Sequence, residues 1–230
     1  MSNYSINNLL GKYSVKCLFD IFSIDSKEIK LVGGCVRDAI LGIDTKDIDI
    51  AANIYPEKII SILNAHDIKY ENYALKYGSI TALIEGQKFQ ITTLREDVQQ
   101  TGRSTNINYT NDWQKDAKRR DLSINAIYLS QDGSITDFFN GQKHLKENKL
   151  QFIVNIEESI KQDYLRIYRY YRFLGLFKNP HLSEAYEQIL KKYCIESFKY
   201  LSNEILRQEI LKIFRNPFPL NSFFYNIANK

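Results

Sequence analysis

Asp47 and Asp49 stand one residue apart in LVGGCVRDAILGIDTKDIDI, residues 31–50. In an extended strand residues i and i+2 point the same way, roughly 6.5–7 Å apart, so two carboxylates at this spacing can address one spot. Oxygen-rich pairs of this kind suit Mg²⁺, which keeps waters and substrate phosphates in its other positions. Two such ions about 3.5–4 Å apart can serve both an attacking hydroxyl and a departing pyrophosphate. A lone DxD is equally what two surface aspartates look like, so its neighbours decide. Gly33 and Gly34 lie between an apolar run and a helix opening, where backbone N–H groups can meet phosphate oxygens. Arg37, in the first helical turn, can add a charge-assisted contact. Asp38 stays ambiguous, since the helix dipole favours a carboxylate there without any function.

Two further clusters carry chemistry. In TNDWQKDAKRRDLSINAIYL, residues 110–129, Arg119, Arg120, Asp121 and Asn125 sit beside an apolar run. A basic pair anchored to a core element is a better phosphate or ribose ligand than a floppy one. In QDYLRIYRYYRF, Asp163, Arg166, Arg169 and Arg172 recur every three residues, which on a continuous helix puts the first three along one side. An exposed Asp–Arg salt bridge is the plainer reading of that spacing.

The elements that must position these residues follow from hydrophobic period and turn signals. Residues 6–22 read as one amphipathic helix, EIKLV (28–32) as a strand, VRDAIL as a helix closed by Gly42, DIDIAA (47–52) as a strand, and Pro56 as the start of a helix to about Leu63. SITALIE (79–85) and KFQITTL (88–94) form a hairpin across Gly86-Gln87. Residues 95–111 are polar and aperiodic, the texture of a mobile loop. Strand and turn signals continue through AIYLSQDGSITDFF and KLQFI (149–153). Beyond about residue 154 IEESIKQDYLRIYRYYRFLGLF, EAYEQILKKYC and EILRQEILKIF are all helical. The expected fold is α+β: a head of mixed or antiparallel sheet flanked by helices over 1–154, then an all-helical segment over 155–230.

The 230 residues are 44% hydrophobic, enough for a sizeable core, and 31 Lys+Arg against 27 Asp+Glu give a net charge of only +4. No global basic field marks a nucleic-acid partner, although a local patch would suffice. Cys17, Cys35 and Cys194 have neither CxxC spacing nor an even count, which disfavours a disulfide framework or a zinc site. The start lacks a signal-peptide pattern and no uncharged apolar run reaches about 18 residues, so the expectation is a chain without a membrane span, cytoplasmic or in an organelle matrix. His66-Asp67 is the sole His-Asp dipeptide, and histidines at 66, 144 and 181 have no ligand spacing, which sets aside a metal-dependent His-Asp hydrolase.

Taken in order, LVGGCVRDAILGIDTKDIDI, RRDLSINAIYL, DFFNGQKHL and QDYLRIYRYYRF resemble the class II tRNA nucleotidyltransferase / poly(A) polymerase family of the DNA polymerase beta superfamily, over about residues 28–215. TNDWQKDAKRRDLSIN is closest in kind to the CCA-adding members. The resemblance implies template-independent transfer of CMP, CMP and AMP from CTP and ATP to a tRNA 3′ end, with Mg²⁺ (two ions) as cofactor. Carried over residue by residue, Asp47 and Asp49 match the catalytic, metal-binding carboxylates. Gly33, Gly34 and Arg37 match nucleotide-phosphate contacts, and Arg120, Asp121 and Asn125 the Arg-Arg-Asp region that holds the nucleotide. Asp163, Arg166, Arg169 and Arg172 match the neck motif that reads the base and contacts the triphosphate. Residues 95–111 correspond to a flexible loop linked to addition of the final A.

Three departures stand out. Gln162 replaces the usual Glu before Asp163, and Gln90 stands where a carboxylate is common. Family members are also usually longer, with helical body and tail regions that grip tRNA. The implied partners are therefore tRNA, CTP and ATP, with either a reduced RNA surface (candidates Lys191, Lys192, Lys199 and Arg207) or a partner chain or dimer supplying the rest. Poly(A) polymerase, partial A- or CC-addition, and a non-catalytic RNA-binding subunit are the alternatives.

Overall fold

The computed structural model describes residues 5–23, 28–101 and 104–222, with the side chains of 98–106 outside the description. Contacts gather the chain into two compact units. The first comprises Met1–Val98, Ile107–Arg120 and Ile124–Gln142; the second comprises Gln99–Asn106, Asp121–Ser123 and Lys143–Lys230.

Two short helices open the first unit, α1 (Ile6–Gly11) and α2 (Tyr13–Ser23). The single helix expected over 6–22 is broken at Lys12, whose φ of −58° and ψ of 130° are extended. The cause is tertiary: Lys12 Nζ reaches Asp44 Oδ1 at 3.1 Å and the Thr45 carbonyl at 3.0 Å, and the flexible Gly11 precedes it. There follow β1 (Ile29–Val32), α3 (Gly34–Ile40), β2 (Ile48–Ala52), α4 (Pro56–Ala65), β3 (Lys69–Glu71), β4 (Ser79–Ile84) and β5 (Gln87–Thr93). Next come β6 (Arg95–Thr101), β7 (Ser104–Tyr109), α5 (Trp113–Lys118), β8 (Ile127–Leu129), β9 (Ile135–Asp137) and α6 (Gly141–Lys146).

Seven strands form one sheet in the order β3-β4-β5-β2-β1-β8-β9. Only β2–β5 is parallel; the other neighbours are antiparallel, so the sheet is mixed as expected. Pairing of Asp49 with Gln90 and of Val32 with Asp49 sets the register at the chemistry-bearing residues. Ile48, Ile50, Phe89, Ile91 and Ile80 are buried, while Gln90 between two of them is exposed, the alternation of a sheet with one face packed. The β4–β5 hairpin turns through Glu85 (φ 49°) and Gly86 (φ 74°), both left-handed as a tight primed turn requires.

Where a mobile loop was expected, β6 and β7 pair as a two-stranded ribbon, with residues 102 and 103 outside the described set. A ribbon held by backbone hydrogen bonds needs no buried face, so it leaves no alternating hydrophobic signature to read.

The second unit contains α7 (Ile156–Gln162), α8 (Leu165–Leu174), α9 (Glu184–Ser197) and α10 (Asn203–Ile213) around Ile160, Ile167, Tyr170, Phe173, Leu190 and Leu206. The long helix expected from residue 156 onward is interrupted at Asp163, whose φ of −152° and ψ of 107° are extended. Asp competes with a helix for backbone donors and favours such caps. KLQFI makes no strand: Phe152 forms one isolated bridge with Leu122, and its ring stacks on Tyr170 at 5.7 Å. The texture changes near residue 154, whereas compactness divides at Gln142 and Lys143, because Phe152 spends its side chain on the helices. Among the described residues no helix is long and apolar enough to cross a membrane.

Candidate active site

Gly33 is the pivot of the first unit's site. Its φ of 76° and ψ of −129° belong to glycine alone, and the turn sends the chain from β1 directly into α3. Around the place a Cβ would occupy lie Arg120 Nη1 at 3.6 Å, the Asn125 carbonyl at 3.8 Å and Asp49 Oδ2 at 3.8 Å. Four of the expected residues, separated by up to most of a domain in sequence, thus meet at one backbone turn. Arg37 joins them through Asn125: its Nη1 donates to Asn125 Oδ1 at 2.6 Å, and its Nε donates to Asp38 Oδ1 at 2.8 Å. Asp38 therefore serves to hold Arg37. Gly34 lies with its Cβ position 3.7 Å from Arg37 Nη2.

Asp47 immediately precedes β2 and is exposed; Asp49, within β2, is half-buried. Ile48 between them is buried at 1% exposure, so the two aspartates lie on the side of the strand away from it. Cys35 lies under the same turn, its Sγ donating to the Val32 carbonyl at 3.3 Å, and burial followed by the charge of Asp49 pushes its thiol up to about 12.

Asp116 escaped the sequence reading. It is buried in α5 and binds Arg119 Nε at 2.8 Å, Arg120 Nη2 at 3.2 Å and the Tyr128 hydroxyl at 2.7 Å. Burial opposes its ionisation, but the two guanidinium groups and the tyrosine hydrogen bond outweigh it and hold the carboxyl down at about 2. Burial likewise works against the charge of Arg120, and the facing Tyr128 and Asp116 more than restore it. The readable signal was the i,i+3 and i,i+4 spacing from Asp116 to the Arg pair. The missing part was depth: Trp113 packs edge-on to Tyr128 at 5.4 Å and seats α5 on the sheet.

The remaining residues expected at the nucleotide site belong to the second unit, and each already has a partner there. Asp121 accepts from the Leu122 N–H at 2.8 Å and from Arg169 Nε at 2.6 Å. Asp163 caps α8 by accepting from the Leu165 N–H at 2.9 Å, so it stands at a helix start and not along a continuous helical side with Arg166. Arg166 Nη1 donates to Ser159 Oγ at 2.7 Å and to Gln162 Oε1 at 3.0 Å, which gives the neutral Gln162 a role as acceptor. Arg172 is paired with Glu209, itself 2% exposed, and lies 4.2 Å above the Phe173 ring. Lys191 and Lys192 are paired with Glu187 and Glu157.

No group of three or more His, Cys, Asp or Glu side chains able to hold a metal gathers among the described residues. Asp47 and Asp49 nonetheless supply the hard oxygen donors that Mg²⁺ prefers when substrate phosphates and waters complete its shell, so the donor chemistry fits that ion.

Residues 29–151 match the poly A polymerase head domain. The chain belongs to that family. Human mitochondrial CCA tRNA nucleotidyltransferase 1 is 41% identical over 162 residues, covering 70% of this chain and 37% of the relative. The CCA-adding enzyme of Lactobacillus helveticus is 32% identical over 198 residues, 85% of this chain and 48% of that one. Among solved structures, the Bacillus stearothermophilus CCA-adding enzyme in complex with CTP superposes with a TM-score of 0.80 at 25% identity, covering 92% of this chain and 51% of that chain. The Thermotoga maritima CCA-adding enzyme complexed with tRNA gives a TM-score of 0.73 at 26% identity, over 95% and 52% of the two chains. The resemblance to class II nucleotidyltransferases and the α+β fold with its mixed sheet are therefore borne out, and the chain spans between 37% and 52% of the length of these relatives.

Proposed function

We propose that the chain carries the catalytic part of a template-independent nucleotidyltransferase that adds CMP, CMP and AMP, taken from CTP and ATP, to the 3′ end of tRNA. The observation that carries the reading is the meeting of Asp49, Arg120 and Asn125 around Gly33, in a family whose matched relatives are named CCA-adding. Residues 1–154 act as the nucleotidyltransferase head and 155–230 as the nucleotide-selecting neck.

In this reading the triphosphate lies along the Gly33-Gly34 turn, with Arg37 and Arg120 as its cationic contacts. Both guanidiniums are anchored, Arg37 by Asp38 and Asn125 and Arg120 by Asp116, so little freedom is lost when an anion arrives. The RNA 3′-hydroxyl oxygen forms a bond to the α-phosphorus, the bond to the bridging oxygen of the β-phosphate breaks, and pyrophosphate leaves with that electron pair while the hydroxyl proton passes to water. Asp47 and Asp49 would hold Mg²⁺, whose chemistry when bound is to lower the hydroxyl pKa and neutralise charge on the phosphates. Asp163 carries only acceptors and Arg166 only donors, the two kinds of group that the amino and ring-nitrogen edge shared by cytosine and adenine calls for. Because this edge is reversed in uracil and guanine, unmatched polar groups costing about 1–3 kcal/mol each would exclude them. The setting implied is any compartment where tRNA matures, cytoplasm or organelle matrix.

The test is incubation of purified protein, Mg²⁺ and tRNA lacking its 3′ end with each labelled nucleotide, followed by sequencing of the products. Ordered C, C, A is expected. Repeated A without C would identify a poly(A) polymerase instead, and no incorporation would overturn the enzymatic reading.

A further inference from the structure

Asp47 and Asp49 are held by different means. Asp49 lies inside β2, paired with Val32 on one side and with Gln90 on the other, so the sheet fixes its backbone. Asp47 precedes the strand, at the end of the segment 41–47 that joins α3 to β2, and it is exposed. A carboxylate in such a connection keeps one position only if its backbone is held by something outside the sheet.

Anchors from three places do this, all within the first unit. Near the start of the segment, the Ile43 N–H donates to the Asp38 carbonyl at 2.8 Å. In the middle, Lys12 Nζ donates to the Thr45 carbonyl at 3.0 Å and to Asp44 Oδ1 at 3.1 Å. Just before Asp47, Gln87 Nε2 donates to the Lys46 carbonyl at 2.6 Å and to the Lys88 carbonyl at 3.0 Å. That bridge ties residue 46 to β5 ahead of the first ladder pair, Ile48 with Phe89. Thr45 Oγ1 completes the chain by donating to the carbonyl of Asp47 itself at 3.2 Å. The two peptide carbonyls in front of Asp47 are thus each taken by a side chain distant in sequence. The Lys12 carbonyl also accepts from the Val15 and Lys16 N–H groups, so the bend between α1 and α2 and the grip on the segment share one residue. A surface Lys–Asp pair is ordinarily worth little, and this one is 27% and 60% exposed. The Thr45 carbonyl, and not the Asp44 carboxylate, is what connects Lys12 to Asp47.

We propose that Lys12 and Gln87 are positioning residues that hold Asp47 where it can share a divalent cation with Asp49. This rests on the nucleotidyl-transfer reading and on Mg²⁺ as its ion. It adds two residues, outside the carboxylate pair and the Gly33 turn, that set the affinity of the site for metal. With both anchors in place the second carboxylate is ordered before the ion arrives. With either one lost, the ion must order it, and that cost is subtracted from binding.

The experiment titrates Mn²⁺ into the wild type, Lys12→Met and Gln87→Leu, without nucleotide or RNA, and follows free Mn²⁺ by electron paramagnetic resonance. The Mg²⁺ dependence of CMP incorporation into truncated tRNA is measured alongside. Each variant should bind Mn²⁺ about tenfold more weakly and need about tenfold more Mg²⁺ for half-maximal incorporation. KM for CTP at saturating Mg²⁺ should change little, which a general loosening of the fold would not spare. In an Asp47→Asn background Lys12→Met should cost almost nothing further, because its effect runs through that carboxylate. Wild-type Mn²⁺ affinity in both variants, with circular dichroism unaltered, or a full further loss on top of Asp47→Asn, would overturn the assignment. Should Lys12→Met not fold, Gln87→Leu beside the hairpin turn carries the test alone. Weakened Mn²⁺ binding in variants of a protein that incorporates nothing would keep the positioning role and remove the transfer reading. Unchanged Mn²⁺ binding in variants of an active enzyme would remove the positioning role alone.

Discussion

The two units handle arginine in opposite ways. In the first, Arg119 and Arg120 share a single buried carboxylate, Asp116, and Arg120 is thereby presented beside Asp49 at the Gly33 turn. In the second, Arg166, Arg169 and Arg172 come every third residue, yet each is spent on a different element: Ser159 and Gln162 of α7, Asp121, and Glu209 of α10. Spacing alone made the second group look like the more coherent site. The contrast teaches that a shared buried counter-ion, and not regular recurrence, is what gathers cations at one place.

The sharpest way to break the comparison is at Asp49. Asp49→Asn should lower nucleotide addition by about three orders of magnitude with the fold unchanged, since an amide holds Mg²⁺ poorly. Turnover near that of the wild type, with circular dichroism unaltered, would remove the carboxylate from the chemistry.

Asp116→Asn should destabilise the protein by about 3–5 kcal/mol in urea melts, because two half-buried guanidiniums lose their buried counter-charge. The sign of the pH dependence follows from its depressed pKa. Against the ordinary value of 3.8 the folded carboxyl titrates at about 2. Its contribution, about 2 kcal/mol, is therefore present in full above about pH 4 and fades as pH falls through 2. The gap between acid melts of the wild type and of Asp116→Asn should narrow by about 2 kcal/mol over that window.

Glu209→Gln tests the other mode. It should cost about 2 kcal/mol through Arg172, with little change in KM for either nucleotide, because this pair joins α8 to α10. A large rise in nucleotide KM at unchanged stability would return Arg172 to the nucleotide. The smallest effect expected is at Asp163. Asp163→Ala should lose about 1 kcal/mol of helix capping and relax the choice of C and A, whereas Asp163→Asn keeps the cap and isolates the role of its charge. Incorporation of all four nucleotides by both variants separates the two.

Residues whose role is written into local backbone geometry were legible from sequence. Gly33 announced a turn and Pro56 a helix start, and both stand where the pattern put them; the hairpin read across Gly86-Gln87 turns one residue earlier, through Glu85-Gly86. The exposed Asp47 and half-buried Asp49 also followed from alternation about Ile48. What stayed hidden depended on partners distant in sequence. Lys12 breaks a helix because of Asp44 and Thr45, and Asp163 breaks one because its carboxylate is worth more as a cap. The β6–β7 ribbon was missed because backbone pairing leaves no hydrophobic period. Asp116 was overlooked because nothing in its neighbours reports that Trp113 and Tyr128 would bury it.

Burial of Cys35 has a practical consequence. A thiol titrating at about 12 carries almost no thiolate at neutral pH, so alkylating and disulfide-forming reagents should pass it by while the protein stays folded. Cys17 in α2 and Cys194 in α9 are less buried, one in each unit. A spin or fluorescent label could therefore be placed on each unit without removing the cysteine beneath the Gly33 turn. The slow appearance of a third modified sulfur would then time the opening of β1 and α3.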